Sequence, residues 1–237
     1  MFEEIDVSGL EAPQLKCYQT FINERMNFGD WALFIDVDEF LHCDPIHDYV
    51  SRYPNVDGIR LNWRVFGDCG KTKFEDRPVY DRFQIPSPKN CIYNDTLPKG
   101  VYEPYHVKTL YHKTFKPAES QVHQILVMGG LFVNAIGQHE NGLSPFQECD
   151  WNGAFLDHFL TKSCEEWCER RLNKIDATGN KIDNDKLIRW YFNLNERTPD
   201  KEKIINDYLK RNTKIDDRVC EQSGSATNTT QKKTRRN

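Results

Sequence analysis

The chain has 237 residues, 38% of them hydrophobic and 12% aromatic, which is enough to bury one substantial core and too apolar for a disordered chain. Its net charge of −4 excludes the basic surface of a general nucleic-acid binder, so no nucleic-acid partner is expected. No apolar run approaches the ~18 residues of a bilayer-spanning helix, so no transmembrane segment is expected either.

The opening MFEEIDVSGLEAP lacks the basic and apolar stretches of a signal peptide, which reads as a cytoplasmic chain, at most peripheral to a membrane. A helix is predicted from Pro13 to Phe28, because Leu15, Tyr18, Phe21, Ile22 and Met26 recur at helical spacing. Gly29-Asp30 ends it, and the apolar run Trp31–Ile35 predicts a strand leading into Asp36-Val37-Asp38-Glu39. Residues two apart on a strand share a face, so Asp36 and Asp38 would project together. Two converging carboxylates at the end of a buried strand are costly unless they bind a cation or stay in water. Oxygen donors suit a hard divalent ion. The plainer alternative is a strand end whose acids cap a turn. A second D-x-D, Asp183-Asn184-Asp185, sits in a polar segment that reads as a solvated helix start.

Asp44-Pro45 predicts a helix to Ser51, with Asp as N-cap and Pro at the first helical position. In VDGIRLNWRVFG, Ile59, Leu61, Trp63 and Val65 alternate with Arg60, Asn62 and Arg64, the pattern of a half-buried strand. A turn, Gly67-Asp68-Cys69-Gly70, follows it. Lys71 to Asn94 reads as a long loop with a helical portion near Pro78–Phe83, the kind of segment that often forms a lid or binding element. Strands are predicted at Tyr105–Tyr111, Val122–Met128 and Leu131–Ala135, the last two joined through Gly129-Gly130, and another at Ala154–Leu160. Ser163 to Glu166 forms a capping box for a helix through Ile175, and helices are expected at Asp183–Asn193 and Asp200–Lys210. Residues 1–215 read as a single domain and 216–237 as a disordered polar and basic tail. Strands alternating with helices give an α/β class. The eight cysteines include no C-x-x-C pair and read as reduced, semi-buried thiols, with Cys164 and Cys168 on one helix face.

WALFIDVDEFL, IRLNWRVFG with its turn, a downstream Val122-His123-Gln124 and LDHFLTKSCEEW occur in the order seen in one enzyme group. From Gln14 to Tyr208 the chain resembles the family 92 and family 2-like glycosyltransferases, marked by W-x-x-F-x-D-x-D-E-F. The resemblance implies a GT-A-like mixed sheet flanked by helices. Only 35 residues precede Asp36, so the fold is expected to be N-terminally incomplete, with part of the nucleotide-binding half missing and weak nucleotide binding by this polypeptide alone. It implies transfer, with inversion, of a sugar from a nucleotide-sugar donor to a glycan or other hydroxyl acceptor. Asp36 and Asp38 would hold a divalent cation, manganese or magnesium, against the donor diphosphate. The ion would act as a Lewis acid where charge grows on the leaving group. Two carboxylates suffice because the diphosphate supplies further ligands.

The family pattern N-H-Y followed by K-S appears as Asp157-His158-Phe159 with Lys162-Ser163, which implies His158 as a third metal ligand and Lys162 as a phosphate partner. Without the family, a core histidine and a surface lysine are the ordinary readings. Trp63, Gly67 and Lys108 are implied on the substrate side, although an indole serves equally well as a core anchor. The general base is open between His123 and Asp68, with Glu39 a further acid in reach. Phe66-Gly67-Asp68-Cys69-Gly70 departs from the family's F-G-S-S-G, so Asp68 either binds a sugar hydroxyl or stabilises the turn. Two alternatives stand beside this reading. One is a haloacid-dehalogenase-like phosphohydrolase, disfavoured by Phe40 where a small hydroxyl residue belongs. The other is a non-catalytic carbohydrate-binding remnant.

Overall fold

A computed structural model describes residues 13–140, 142–172 and 183–224, with side chains to residue 211. The chain is a mixed α/β structure in which helices flank a mixed sheet of seven strands among the described residues. Its axis is β3 (Gly58–Phe66), whose β-branched and aromatic residues suit a central strand. On one edge, the first part of β3 pairs antiparallel with β4 (Val107–His112), and β4 pairs with β1 (Trp31–Leu33). On the other edge, β3 pairs in parallel with β7 (Phe132–Asn134), then further along with β9 (Phe155–Phe159). Beyond these lie β8 (His139–Glu140) against β7 and β2 (Glu39–His42) antiparallel to β9. A separate ribbon joins β5 (Ala118–Ser120) to β6 (Ile125–Val127).

Ile59, Leu61, Trp63 and Val65 of β3 pack with Leu110, Val133 and Leu156 in the main core. The other side of β3 is covered too. Arg60 and Asn62 are buried, so the strand is not the half-exposed one that alternation predicts. The polar positions are held by bonds the sequence does not announce. Asn62 donates to the Pro104 and Gln147 carbonyls and accepts from the Gln147 side chain. Satisfied in this way, a buried amide fixes register at little cost. Gly58 is glycine for space, since a Cβ there would lie 2.9 Å from both Phe132 and Thr109 side chains.

The first helix is shorter than its periodicity suggests. α1 (Pro13–Thr20) gives way to a π-turn over Phe21–Arg25. The next, α2 (Ile46–Ser51), starts one residue late and is not capped by Asp44, which instead pairs with Arg52 at 2.5 Å. The long loop contains α3 (Val79–Arg82), where a helical portion is expected. The Gly129-Gly130 turn does not join two paired strands. β6 belongs to the small ribbon and β7 to the main sheet.

α4 (Cys164–Arg171) opens on the expected capping box. Ser163 Oγ accepts from the Glu166 amide, and the Glu166 carboxylate accepts from the Ser163 amide. α5 (Asn184–Leu194) is capped by Asp183, so the second D-x-D is a helix start. α6 (Pro199–Gly224) runs past residue 215, where the tail is expected to begin; residues 225–237 lie outside the described residues. A second core forms between these helices from Cys164, Trp167, Cys168, Leu187, Tyr191 and Ile205. The seven described cysteines are free thiols. Among the described residues no helix is long and apolar enough to cross a membrane.

Candidate functional site

The apolar run before the acids makes a strand only as far as Leu33, so Asp36 and Asp38 do not share a strand face. They stand in a tight turn between β1 and β2. The Glu39 amide donates to the Asp36 carbonyl, and the Asp36 amide donates to Glu39 Oε2, each at 3.0 Å. The turn forms because Glu39 starts a new ladder opposite His158 of β9. Val37, 97% exposed, marks its tip.

The two aspartates face different elements. Asp36 accepts from Lys108 Nζ at 3.1 Å and from Gln14 Nε2 at 3.2 Å. Asp38 is buried. Its Oδ2 accepts from Arg170 of α4 at 2.5 Å and lies 3.7 Å from Lys162 Nζ, while Oδ1 faces His158 Nε2 at 4.0 Å. Burial alone would raise the Asp38 carboxyl. His158, Arg170 and Lys162 outweigh it and hold the group below the usual carboxylate range. Burial pushes His158 down to about 3 against the pull of Asp38 and Asp36, so the imidazole is neutral at pH 7 and the cations on Asp38 there are Arg170 and Lys162. His158 Nδ1 and Arg170 Nε have no hydrogen-bond partner.

Lys162 is aimed by its backbone. Its φ of +58° is left-handed, a conformation that costs a lysine ~1 kcal/mol or more and persists only where surroundings enforce it. Burial and the neighbouring Arg170 pull its ammonium below the ordinary value. Arg170 also donates to the Leu160 carbonyl at 2.7 Å, which anchors the guanidinium beside the acid turn.

Lys108 is 1% exposed. Besides Asp36 it lies 3.4 Å from Glu39 and donates to the Val122 carbonyl at 3.3 Å, so it braces the turn and does not face a substrate. Burial pushes the Glu39 carboxyl up to about 7 despite Lys108. Trp63 is buried with the His106 ring stacked on it at 4.7 Å and the His158 ring edge-on at 4.3 Å, so it is a core anchor with no face left for a sugar. His123 packs 5.3 Å from both Trp63 and His106. Burial, with His106 and Lys108 beside it, pushes His123 down to about 4, leaving a neutral ring whose Nδ1 is unpaired.

Two expected site residues lie elsewhere. Asp68 accepts from Tyr191 at 2.5 Å and from the Gly70 amide at 2.8 Å, and pairs with Lys201 at 2.6 Å. It is the hub of a buried polar cluster against the second core, with both oxygens already bonded within the protein. Gly67 is glycine for packing, because a Cβ would stand 2.6 Å from Asn195 Oδ1. Asp36, Asp38, His158, Lys162, Lys108, Trp63 and His123 therefore share one neighbourhood, and Asp68 and Gly67 share another. Arg170 carries no motif signal. Only its place one helical stretch beyond the capping box brings it to Asp38.

Among the described residues no three His, Cys, Asp or Glu side chains form a preformed metal cage. Asp38 Oδ1 and His158 Nε2 stand 4.0 Å apart, so that one ion bonded to both at ~2.0–2.1 Å would have to lie almost on the line between them. Asp38 and His158 alone do not make an ion site held by protein. No protein-family model, curated protein or solved structure matches the chain.

Proposed function

We propose that the chain is a metal-dependent glycosyltransferase of the GT-A type, moving a sugar from a nucleotide-diphosphate sugar to a glycan or other hydroxyl acceptor with inversion. The observation that carries this reading is the convergence of Asp38 with His158, Lys162 and Arg170, the last 132 residues away in sequence. A carboxylate, a neutral imidazole and two cations in one cluster match what a diphosphate with its divalent ion requires. Asp38 and His158 would hold manganese or magnesium, while Asp36, bonded to Lys108 and Gln14, would brace the turn. The ion supplies Lewis acidity at the departing diphosphate.

Lys162 and Arg170 face the negative charge that grows on the leaving oxygen. His123, neutral at pH 7 with a buried, unpaired Nδ1, is the candidate base, and its lowered basicity makes it a weak one. The phosphohydrolase alternative requires Asp36 as a free nucleophile, whereas Lys108 and Gln14 occupy its oxygens. Calorimetry with UDP, with and without Mn²⁺, tests the proposal. UDP binding that requires Mn²⁺ and is lost in Asp38→Asn is expected. Binding indifferent to both metal and substitution would sink it.

A further inference from the structure

β3 and β9 run parallel, with Phe66 opposite Phe159, so both strands end on the same side of the sheet. The turn after β9 carries Lys162 to the Asp38 cluster. The turn after β3, Gly67 to Gly70, lines an open groove between the long loop and the end of α5. The groove has two lobes, of about 580 and 220 Å³, which meet at Ser87 and Leu194. Together they fall in the size range of small-ligand sites, and the carboxyl ends of parallel strands are where α/β sheets commonly hold ligands.

The walls of the groove are fixed. The Ser87 amide donates to the Val65 carbonyl at 2.8 Å and Pro86 bridges to Phe66, so the loop extends the sheet there. The Asn195 side chain accepts from the Asp68 amide at 2.6 Å and donates to the Tyr191 carbonyl at 2.9 Å, which ties the end of α5 to the β3 turn. Asn193 donates to the Tyr93 carbonyl at 3.2 Å and ties the loop to α5 a second time. A wall held in this way needs little ordering when a ligand enters.

The lining contains no lysine, arginine or histidine, so it has no counter-charge for an anion. Two of its three acids are already paired, Asp95 with Arg189 at 3.1 Å and Asp68 with Lys201 at 2.6 Å, and the third, Glu196, is exposed to water. Charges balanced in this way suit an uncharged ligand. Apolar surface from Pro88, Ile92 and Leu194 lies beside the Ser87 hydroxyl and the amides of Asn90 and Asn193. A sugar ring has the matching chemistry: an apolar C–H face, and hydroxyls that both donate and accept, as hydroxyl and amide side chains do.

We propose that this groove binds a sugar residue of an uncharged glycan, its C–H face on Pro88, Ile92 and Leu194 and its hydroxyls at Ser87, Asn90 and Asn193. The site needs neither metal nor nucleotide, so it goes beyond the transfer reading and stands if that reading fails.

Saturation-transfer NMR on the full chain tests the proposal. The probes are the methyl glycosides of glucose, galactose, mannose and N-acetylglucosamine, with methyl glucuronide as a charged comparison. The variants are Asn90→Ala and Ile92→Ser, both at exposed positions, and Asp38→Asn, each checked for folding by circular dichroism. At least one uncharged glycoside should receive saturation from wild type. Its dissociation constant should rise ~fivefold in Asn90→Ala, the loss of one neutral hydrogen bond, and by a similar factor in Ile92→Ser. Asp38→Asn should bind it as wild type does. No transfer to any of the four uncharged probes, binding unchanged in both folded groove variants, or tighter binding of the glucuronide each overturns the proposal. Sugar binding at the groove without any UDP binding, with or without Mn²⁺, overturns the transferase reading and leaves the groove site standing.

Discussion

Asp38 and Asp68 are both buried carboxylates with a lysine and a second donor beside them, yet they belong to different kinds of site. At Asp68 the charges balance and the bonds close. One carboxylate meets one ammonium, Tyr191 and the Gly70 amide, with the aspartate 2% and Lys201 1% exposed. At Asp38 nothing closes. Two cations share one oxygen, the other oxygen faces a neutral imidazole, and a ring nitrogen of His158 and the Arg170 Nε have no partner. A balanced buried pair reads as structure. A cluster with unpartnered buried nitrogens reads as a place built for something else, since burying polar groups without partners is otherwise costly.

The largest effect should come from opening the closed cluster. Lys201→Met leaves Asp68 charged and unpaired in the core and should cost about 3–5 kcal/mol in denaturant unfolding. The double variant Asp68→Asn with Lys201→Met should recover part of that loss, and strict additivity would break the contrast with Asp38.

Glu103 sharpens the comparison from another side, as a buried carboxylate with no cation. Burial lifts it to about 7 from 4.5, against the pull of the Asn94 and Tyr93 amides. The folded state therefore holds the proton more tightly than the unfolded chain. Its contribution to stability is full below pH 4.5 and is lost as the pH rises to about 7. Glu103→Gln should flatten stability across that window. Asp38, lowered, has the opposite sign and loses its contribution only as the pH falls through the carboxylate range.

Smaller effects follow. Gly67→Ala pushes a methyl into Asn195 and should cost about 1–3 kcal/mol without touching Mn²⁺ binding. Ser163→Ala removes the cap of the helix that carries Arg170 and should cost about 1 kcal/mol. Asp38→Asn should cost less stability than Lys201→Met, because the Arg170 side chain is 30% exposed and can rehydrate. It should nonetheless remove Mn²⁺-dependent UDP binding. A large stability loss in Asp38→Asn would place that aspartate in the same class as Asp68.

Several elements were legible before any coordinates. The capping box Ser163–Glu166, the helix start at Asp183, the short helix in the long loop and the strand through Ile59–Val65 all follow from local rules. Local rules failed where partners far along the chain decide the outcome. The run Trp31–Ile35 looks like one strand carrying both aspartates, but β4 holds it only to Leu33 and β9 claims it again at Glu39, which bends the acids into a turn. The alternation in β3 suggests a wet face, but the Gln147 segment covers it. Asp68 looks like a spare acid in a turn until Tyr191 and Lys201 arrive from α5 and α6.

The sequence by itself determined the α/β class, the core face of β3 and the presence of paired acids beside an apolar strand, because periodicity and capping act within a few residues. Which acid meets which cation was decided only by the tertiary structure. Arg170 reaches Asp38 from 132 positions away, and no spacing in the chain encodes that meeting, because a contact across a sheet and a helix depends on how the layers pack.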